Sequence, residues 1–461
     1  MHATLRAVSR YMGRGANPSA APKLGRTSLL ALGVQVAAVG TTYFSNMLAA
    51  RLAGAAEYGD FAFVSATIVI LGYLAAVGYD SALVRWLPAY AEQQAWPPLV
   101  GSIRFVERRV KIVGGSLVAL GLTLVALAAS IHAGAPLAVF ALGLLLVPLW
   151  SLILIRCAII RAFGRVLVAL ASDRLFRDGA LLVLLVLLAL GRLVHPFRID
   201  AVSLMCATIV ASLLALISAT RVARQVCRVD QQPSYDGAEL RMWQQAAFPF
   251  LTLVITEVLI NRCGVLVLGS LGRAQDAGCF ALIMNLANLV MLPRLAVNAF
   301  LTPMIATFHA RRDHAGLAQV VGKTSLWSFA GALAVGSVIW VASPMLLGWY
   351  GPSFLAGRVP LAILLLGQLV ASSAGAQLQL LKMSGREIAA AKVLSISLAV
   401  QVVLGLVLVP RLGMVGAALA SLGCLLAWNL SMMPLVWRHL GIRPISWRWA
   451  TPMKAVDRHP V

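Results

Sequence analysis

Twelve long runs almost free of charge dominate the chain, and no water-soluble fold can absorb that many. A helix needs about 20 mostly apolar residues to cross the hydrocarbon core of a bilayer. Runs of this kind lie at 27–47, 61–78, 112–132, 137–155, 179–194, 201–220, 248–271, 278–300, 325–345, 359–381, 389–409 and 413–437. The fifth is the shortest, with Asp178 crowding its start and Arg192 its end. Composition agrees: 60% of the 461 residues are apolar and 12% charged, against about 45–50% and about 25% in soluble domains. The first run follows a basic leader (Arg6, Arg10, Arg14, Lys23, Arg26). It is too long for a signal-peptide core and lacks a small-residue cleavage site, so it reads as a retained helix. The chain is expected to be an all-α polytopic membrane protein with 12 transmembrane helices.

The formal net charge is +22, which on a soluble protein would point to nucleic acid. Placement gives it another meaning. With the N-terminus cytoplasmic, thirty of the 38 Lys and Arg residues fall in the leader, alternate connections and the tail. Six (Arg51, Arg192, Arg198, Arg273, Arg358, Arg411) fall on the opposite side, and Arg262 and Arg294 lie within spans. This asymmetry is the positive-inside signature. It predicts cytoplasmic N and C termini and removes nucleic acid as a partner. Outer connections of about a dozen residues at most leave no room for an outer catalytic domain.

An internal repeat divides the chain. The segment 52–62 (LAGAAEYGDFA) aligns without gaps on 271–281 (LGRAQDAGCFA) at an offset of 219, with Glu57 over Asp276. A second echo, 161–165 (RAFGR) on 382–386 (KMSGR), has an offset of 221. Six spans per half make the repeats parallel, related by an axis along the membrane normal, as in transporters that hold substrate between their halves. The expected organisation is a leader at 1–26, a six-helix lobe at 27–220, a cytoplasmic linker at 221–247, a second lobe at 248–437 and a basic tail at 438–461.

Ionisable residues at bilayer depth are functional hypotheses by default, and three stand out: Glu257, Arg262 and Arg294. Two guanidiniums against one carboxylate favour an anion such as a phosphate or diphosphate, which arginine forks grip bidentately. Pro293 is expected to kink the eighth helix beside Arg294. The structural alternative pairs Glu257 with one arginine and lets Arg294 snorkel to the cytoplasmic surface. Glu257 could instead be a protonation switch coupling transport to an ion gradient. Gln35, Thr42 and Asn46 share one helical face, and at the 219 offset Thr42 falls on Asn261 and Tyr43 on Arg262. They read as a shared cavity wall or as interhelical glue. Asn285, Asn288, Asn298, Gln368, Gln377 and Gln379 invite the same two readings. The histidines lie in connections or tails and the six cysteines show no ligand spacing, so neither metal nor cofactor is expected.

Three stretches carry a family resemblance: 50–59 (ARLAGAAEYG) followed by 78–85 (GYDSALVR), 410–418 (PRLGMVGAA), and the order Asp276-Ala277-Gly278 then Pro303. Together they resemble the polysaccharide-biosynthesis (oligosaccharide flippase, O-antigen-type) family of the multidrug/oligosaccharidyl-lipid/polysaccharide exporter superfamily. The resemblance implies a two-lobed bundle like that of multidrug-and-toxin-extrusion proteins, sited in the bacterial inner membrane. It also implies movement of undecaprenyl-diphosphate-linked sugars between leaflets for exopolysaccharide or O-antigen synthesis. Glycan polymerase and glycosyltransferases of the same pathway would then be partners. Many relatives carry an acid where this chain has Cys263-Gly264-Val265; its role does not carry over, and Glu257 is at most a substitute. A cation or drug antiporter is the main alternative. A membrane glycan polymerase or ligase is a third, disfavoured by the short outer connections.

Overall fold

Hydrocarbon offers no hydrogen bonds, so an apolar run that crosses it must pair every backbone group within its own segment, as a helix does. The computed structural model describes residues 21–131, 137–194, 198–227, 237–298, 301, 314–383 and 386–440. Among these residues the chain is helical throughout, with no strand. The first half contains α1 (Ala21–Ala53), α2 (Ala55–Ala76), α3 (Tyr79–Glu92) and α4 (Trp96–Ile131). It continues with α5 (Leu137–Leu144), α6 (Leu146–Ala162), α7 (Val166–Leu170), α8 (Arg177–Val194) and α9 (Ala201–Val226). The second half contains α10 (Gly237–Ser270), α11 (Ala274–Asn288), α12 (His314–Tyr350) and α13 (Arg358–Ser373). It ends with α14 (Gln377–Met383), α15 (Glu387–Leu412) and α16 (Met414–Leu440).

Among the described residues, ten helical segments are long and apolar enough to cross a membrane. Large apolar side chains stand outward on them and on α8, with Val341 79% and Leu193 82% exposed. Such a surface requires lipid around it, so the chain is a multi-pass membrane protein. The first and fifth expected spans are helical but are not among the ten. α1 carries Gln35, Thr41, Thr42, Ser45 and Asn46; α8 carries Arg177, Asp178 and Arg192.

Three boundaries differ from the sequence expectation. The fifth helix does not begin near 179: α7, a π-helical turn at Ala171–Phe176 and α8 run on without a break. Asp178 therefore sits roughly 18 Å into a continuous helix, at 1.5 Å per residue. The tenth span is broken at 374–376, where Gly375 takes φ +73° between α13 and α14. The expected linker is largely helix as well, since α9 runs to Val226 and α10 starts at Gly237. Residues 228–236, most of the leader and the tail from 441 onward lie outside the described residues, as does Pro303.

The repeat is visible in the contacts. α2 begins at Ala55 and α11 at Ala274, 219 residues apart, each preceded by a positive-φ glycine, Gly54 and Gly272. These two helices pack on each other across the halves. They cross at Gly59 and Gly278, also 219 apart. A Cβ on Gly278 would stand 2.8 Å from Gly59 Cα and 2.9 Å from the Ala55 carbonyl oxygen. A Cβ on Gly59 would overlap the Ala274 carbonyl oxygen. Ala55 and Ala274 are themselves repeat equivalents, so the contact is reciprocal, as a twofold axis through it demands. At the opposite end Gly78 meets the Ala247–Leu251 stretch of α10, and Trp243 donates to the Tyr90 hydroxyl at 3.0 Å.

Candidate functional site

Two of the polar regions inside the bundle flank α10. The first is built on α1 and α8. Asp178 is buried; its carboxylate accepts from Thr42 Oγ1 and, at 3.0 Å, from Arg177 Nε. Ser45 Oγ donates to the Asp178 backbone carbonyl at 2.9 Å, tying α1 to α8. The Arg177 guanidinium stacks on Trp150, 4.2 Å from the ring centroid. Beside them the Tyr58 hydroxyl donates to Asn46 Oδ1 at 2.8 Å.

Arg262 reaches this region from α10. Its electrostatic neighbours are Tyr58, Tyr73, Arg174 and Arg177. It makes no hydrogen bond or ion pair among the described residues. Arg174, Arg177 and Arg262 are thus electrostatic neighbours, and the Asp178 carboxylate already accepts from Arg177 and Thr42. The π-helical turn immediately before Arg177 shifts the register of this helix; such turns recur at functional sites.

The second region is a cavity of about 230 Å³ in the second half. Glu257 and Asn261 of α10, Arg294 and Asn298 of the helix at 292–298, and Gln377 at the start of α14 line it. Gln401 and Ser421 close one wall, and Trp428 and Asn429 another. Two interruptions frame it. One is the 3₁₀ turn Leu289–Met291 before Pro293, the other the break at 374–376. Irregular backbone at this depth is tolerated where it lines a cavity. Arg294 Nη1 donates to the Ala371 carbonyl at 3.2 Å, close to the C-terminal end of α13.

The expected site residues therefore separate. Glu257, Asn261 and Arg294 share the second cavity, while Thr42, Asn46 and Arg262 share the first region. Arg262 and Arg294 do not form one net-positive pocket with Glu257, because Asn261 and Arg262 are adjacent on a helix and project about 100° apart. Gln35 is half-buried on α1 and joins none of these hydrogen bonds. Asn298, Gln368, Gln377 and Gln379 all line the second cavity; Asn288 contacts Gln368 at 3.5 Å.

Sequence reasoning missed Arg177 and Asp178 as interior residues. They look like the end of a cytoplasmic connection, and the signal that places them inside is the apolar stretch from Val166 onward, which extends the helix upstream of them.

No protein-family model and no curated protein matches the chain by sequence. Solved structures do match. One is an inward-facing multidrug resistance MATE family transporter of the MOP superfamily, with TM-score 0.68, 12% identity, and coverage of 90% of this chain and 99% of that one. The lipid II flippase MurJ in an inward closed conformation matches with TM-score 0.63 and 12% identity over 88% of this chain and 87% of that one. A MOP superfamily transporter from Pyrococcus furiosus matches with TM-score 0.60 and 14% identity over 92% and 95%. The chain has the fold shared by these MOP superfamily transporters.

Proposed function

We propose that the chain is a flippase that carries undecaprenyl-diphosphate-linked oligosaccharide repeat units across the bacterial inner membrane. It serves exopolysaccharide or O-antigen synthesis and works by alternating access. The two halves, 27–220 and 248–437, act as lobes, with both termini cytoplasmic. The observation that carries the reading is Arg262, an electrostatic neighbour of Arg174 and Arg177 that makes no ion pair among the described residues. Such a cluster favours a multivalent anion, and a diphosphate presents several oxygens to more than one guanidinium. The lipid tail stays in the bilayer while the headgroup enters between the lobes. The α2–α11 crossing at Gly59 and Gly278 closes the outer end, and its separation releases the headgroup outward. Glycan polymerase and glycosyltransferases of the same pathway act downstream and upstream.

A cation or drug antiporter is the second reading, favoured by the buried acid Asp178. A cation would have to displace Arg177 from that carboxylate in a region already rich in positive charge, so it ranks below. The test is a deletion strain. Lipid-linked repeat units accumulating on the cytoplasmic face, relieved by the intact gene, support the flippase. Normal surface glycan with no accumulation overturns it.

A further inference from the structure

The second cavity is not explained by anion binding. It holds one cation and one anion, Arg294 and Glu257, so its formal charges cancel. Its walls are instead dense in amides that lack partners. Gln377 is 2% exposed, and neither Oε1 nor Nε2 has a hydrogen-bond partner among the described residues. Gln401 is also buried; its Nε2 donates to the Ile260 carbonyl at 3.1 Å and to Ser421 Oγ at 3.2 Å, while its Oε1 has no partner among the described residues. Gln368 Oε1 is in the same position.

These atoms narrow the chemistry. The Gln401 amide is fixed in orientation, because only its NH₂ can donate to a backbone carbonyl. Its free atom is therefore an acceptor that needs a donor. Gln377 offers an acceptor and donors whichever way its amide is turned. The ionised oxygens of a phosphate accept but cannot donate, and an apolar ligand can do neither. Hydroxyl groups donate and accept. A space of about 230 Å³ holds several waters at roughly 30 Å³ each, which ligand hydroxyls would replace.

We propose that this cavity is a binding subsite for a neutral, polyhydroxylated sugar residue, with Gln377 and Gln401 as specificity-determining residues. The broken helix at 374–376 serves it by delivering Gln377 and backbone into the bundle, as discontinuous helices do at transporter binding sites. Assigning that sugar to the headgroup of a lipid diphosphate rests on the function proposed above. Anion and sugar are then read on different faces of α10, by Arg262 and by the cavity behind Asn261.

The test titrates the full chain in lipid nanodiscs with undecaprenyl diphosphate carrying no sugar, one glucose or one N-acetylglucosamine. At least one sugar-bearing lipid is expected to bind about tenfold tighter than the bare one, a difference of about 1.4 kcal/mol. Gln377→Leu and the nearly isosteric Gln377→Glu should reduce that preference to less than about twofold while leaving the Kd for the bare lipid unchanged, which shows that both variants fold. Equal affinity for all three lipids, or a preference that survives both variants, overturns the subsite and leaves the flippase reading intact. If no lipid diphosphate binds but free N-acetylglucosamine gives a saturation-transfer signal that Gln377→Leu abolishes, the flippase reading falls and the subsite stands. Absence of both signals overturns both.

Discussion

Asn261 and Arg262 are neighbours on α10 and look into different chemistries. Behind Asn261 lies a cavity of amides with balanced charge, interrupted backbone and unpartnered carbonyl oxygens. In front of Arg262 lies a charged region in which both Asp178 carboxylate oxygens accept hydrogen bonds, while Arg262 has no ion-pair partner among the described residues. The repeat sharpens the contrast. Thr42, the equivalent of Asn261, faces the polar interior of its own half through Asp178. Tyr43, the equivalent of Arg262, reaches across and meets Tyr350 edge-on, with ring centroids 5.6 Å apart. Equivalent positions thus divide the same way, one serving its own half and the next addressing the other. The halves share a scaffold, yet the interior beside α1 and α8 is charged where the cavity of the second half is rich in amides.

Substitutions at four places break or sharpen this comparison. The largest effect is expected at the crossing both regions depend on. Gly59→Leu drives a side chain into the Ala274 carbonyl, so transport should vanish, and Gly278→Leu should do the same because the contact is reciprocal. A wild-type transport rate in either variant would show that the crossing is not required. Next is Asp178→Ala, which leaves Arg177 buried without its acid. Breaking a buried pair destabilises by about 3–5 kcal/mol, so thermal unfolding in detergent should fall clearly, while Asp178→Asn, which keeps an acceptor for Thr42, should lose less.

Arg294→Met removes one charge-assisted hydrogen bond, to Ala371, for which a loss of about 1.5–3 kcal/mol is expected. It should change stability more than lipid-diphosphate affinity, the reverse of a substitution at Arg262. The smallest effect lies at the start of α9. Asp200 caps α9 by accepting from the Ser203 N–H at 2.9 Å and from its hydroxyl at 2.8 Å. Those bonds hold its carboxyl below the ordinary value. Asp200→Ala should therefore lose about 1 kcal/mol. A depressed carboxylate contributes stability above its unfolded pKa and loses it as pH falls through the folded one. The difference between wild type and variant should accordingly be full near neutrality and shrink below about pH 3.9.

Much of the scaffold was legible in the sequence because hydrocarbon permits so few solutions. Ten of the twelve expected spans stand as membrane-length apolar helices, and the repeat offset reappears in the starts of α2 and α11 and in the Gly59–Gly278 contact. The polar interior was legible residue by residue but not as an arrangement. Arg177 reads as a loop residue because two arginines and an aspartate between 174 and 178 resemble a surface turn. Only tertiary structure supplies Trp150 and Thr42, which make that stretch tolerable inside. Gln377 was visible as a polar residue within a span. The break at Gly375, which turns it into the cavity, was not, since a single glycine in an apolar run is compatible with continuous helix.

The central claim is that the positive charge of Arg262, beside Arg174 and Arg177, receives the anionic part of a lipid-linked substrate. Its most direct measurement is transbilayer movement of fluorescent undecaprenyl-diphosphate N-acetylglucosamine in proteoliposomes containing wild type, Arg262→Lys or Arg262→Ala. The account predicts at least about a tenfold loss of rate in Arg262→Ala, partial recovery in Arg262→Lys, and unchanged thermal stability in both. Full rate in Arg262→Ala would contradict it.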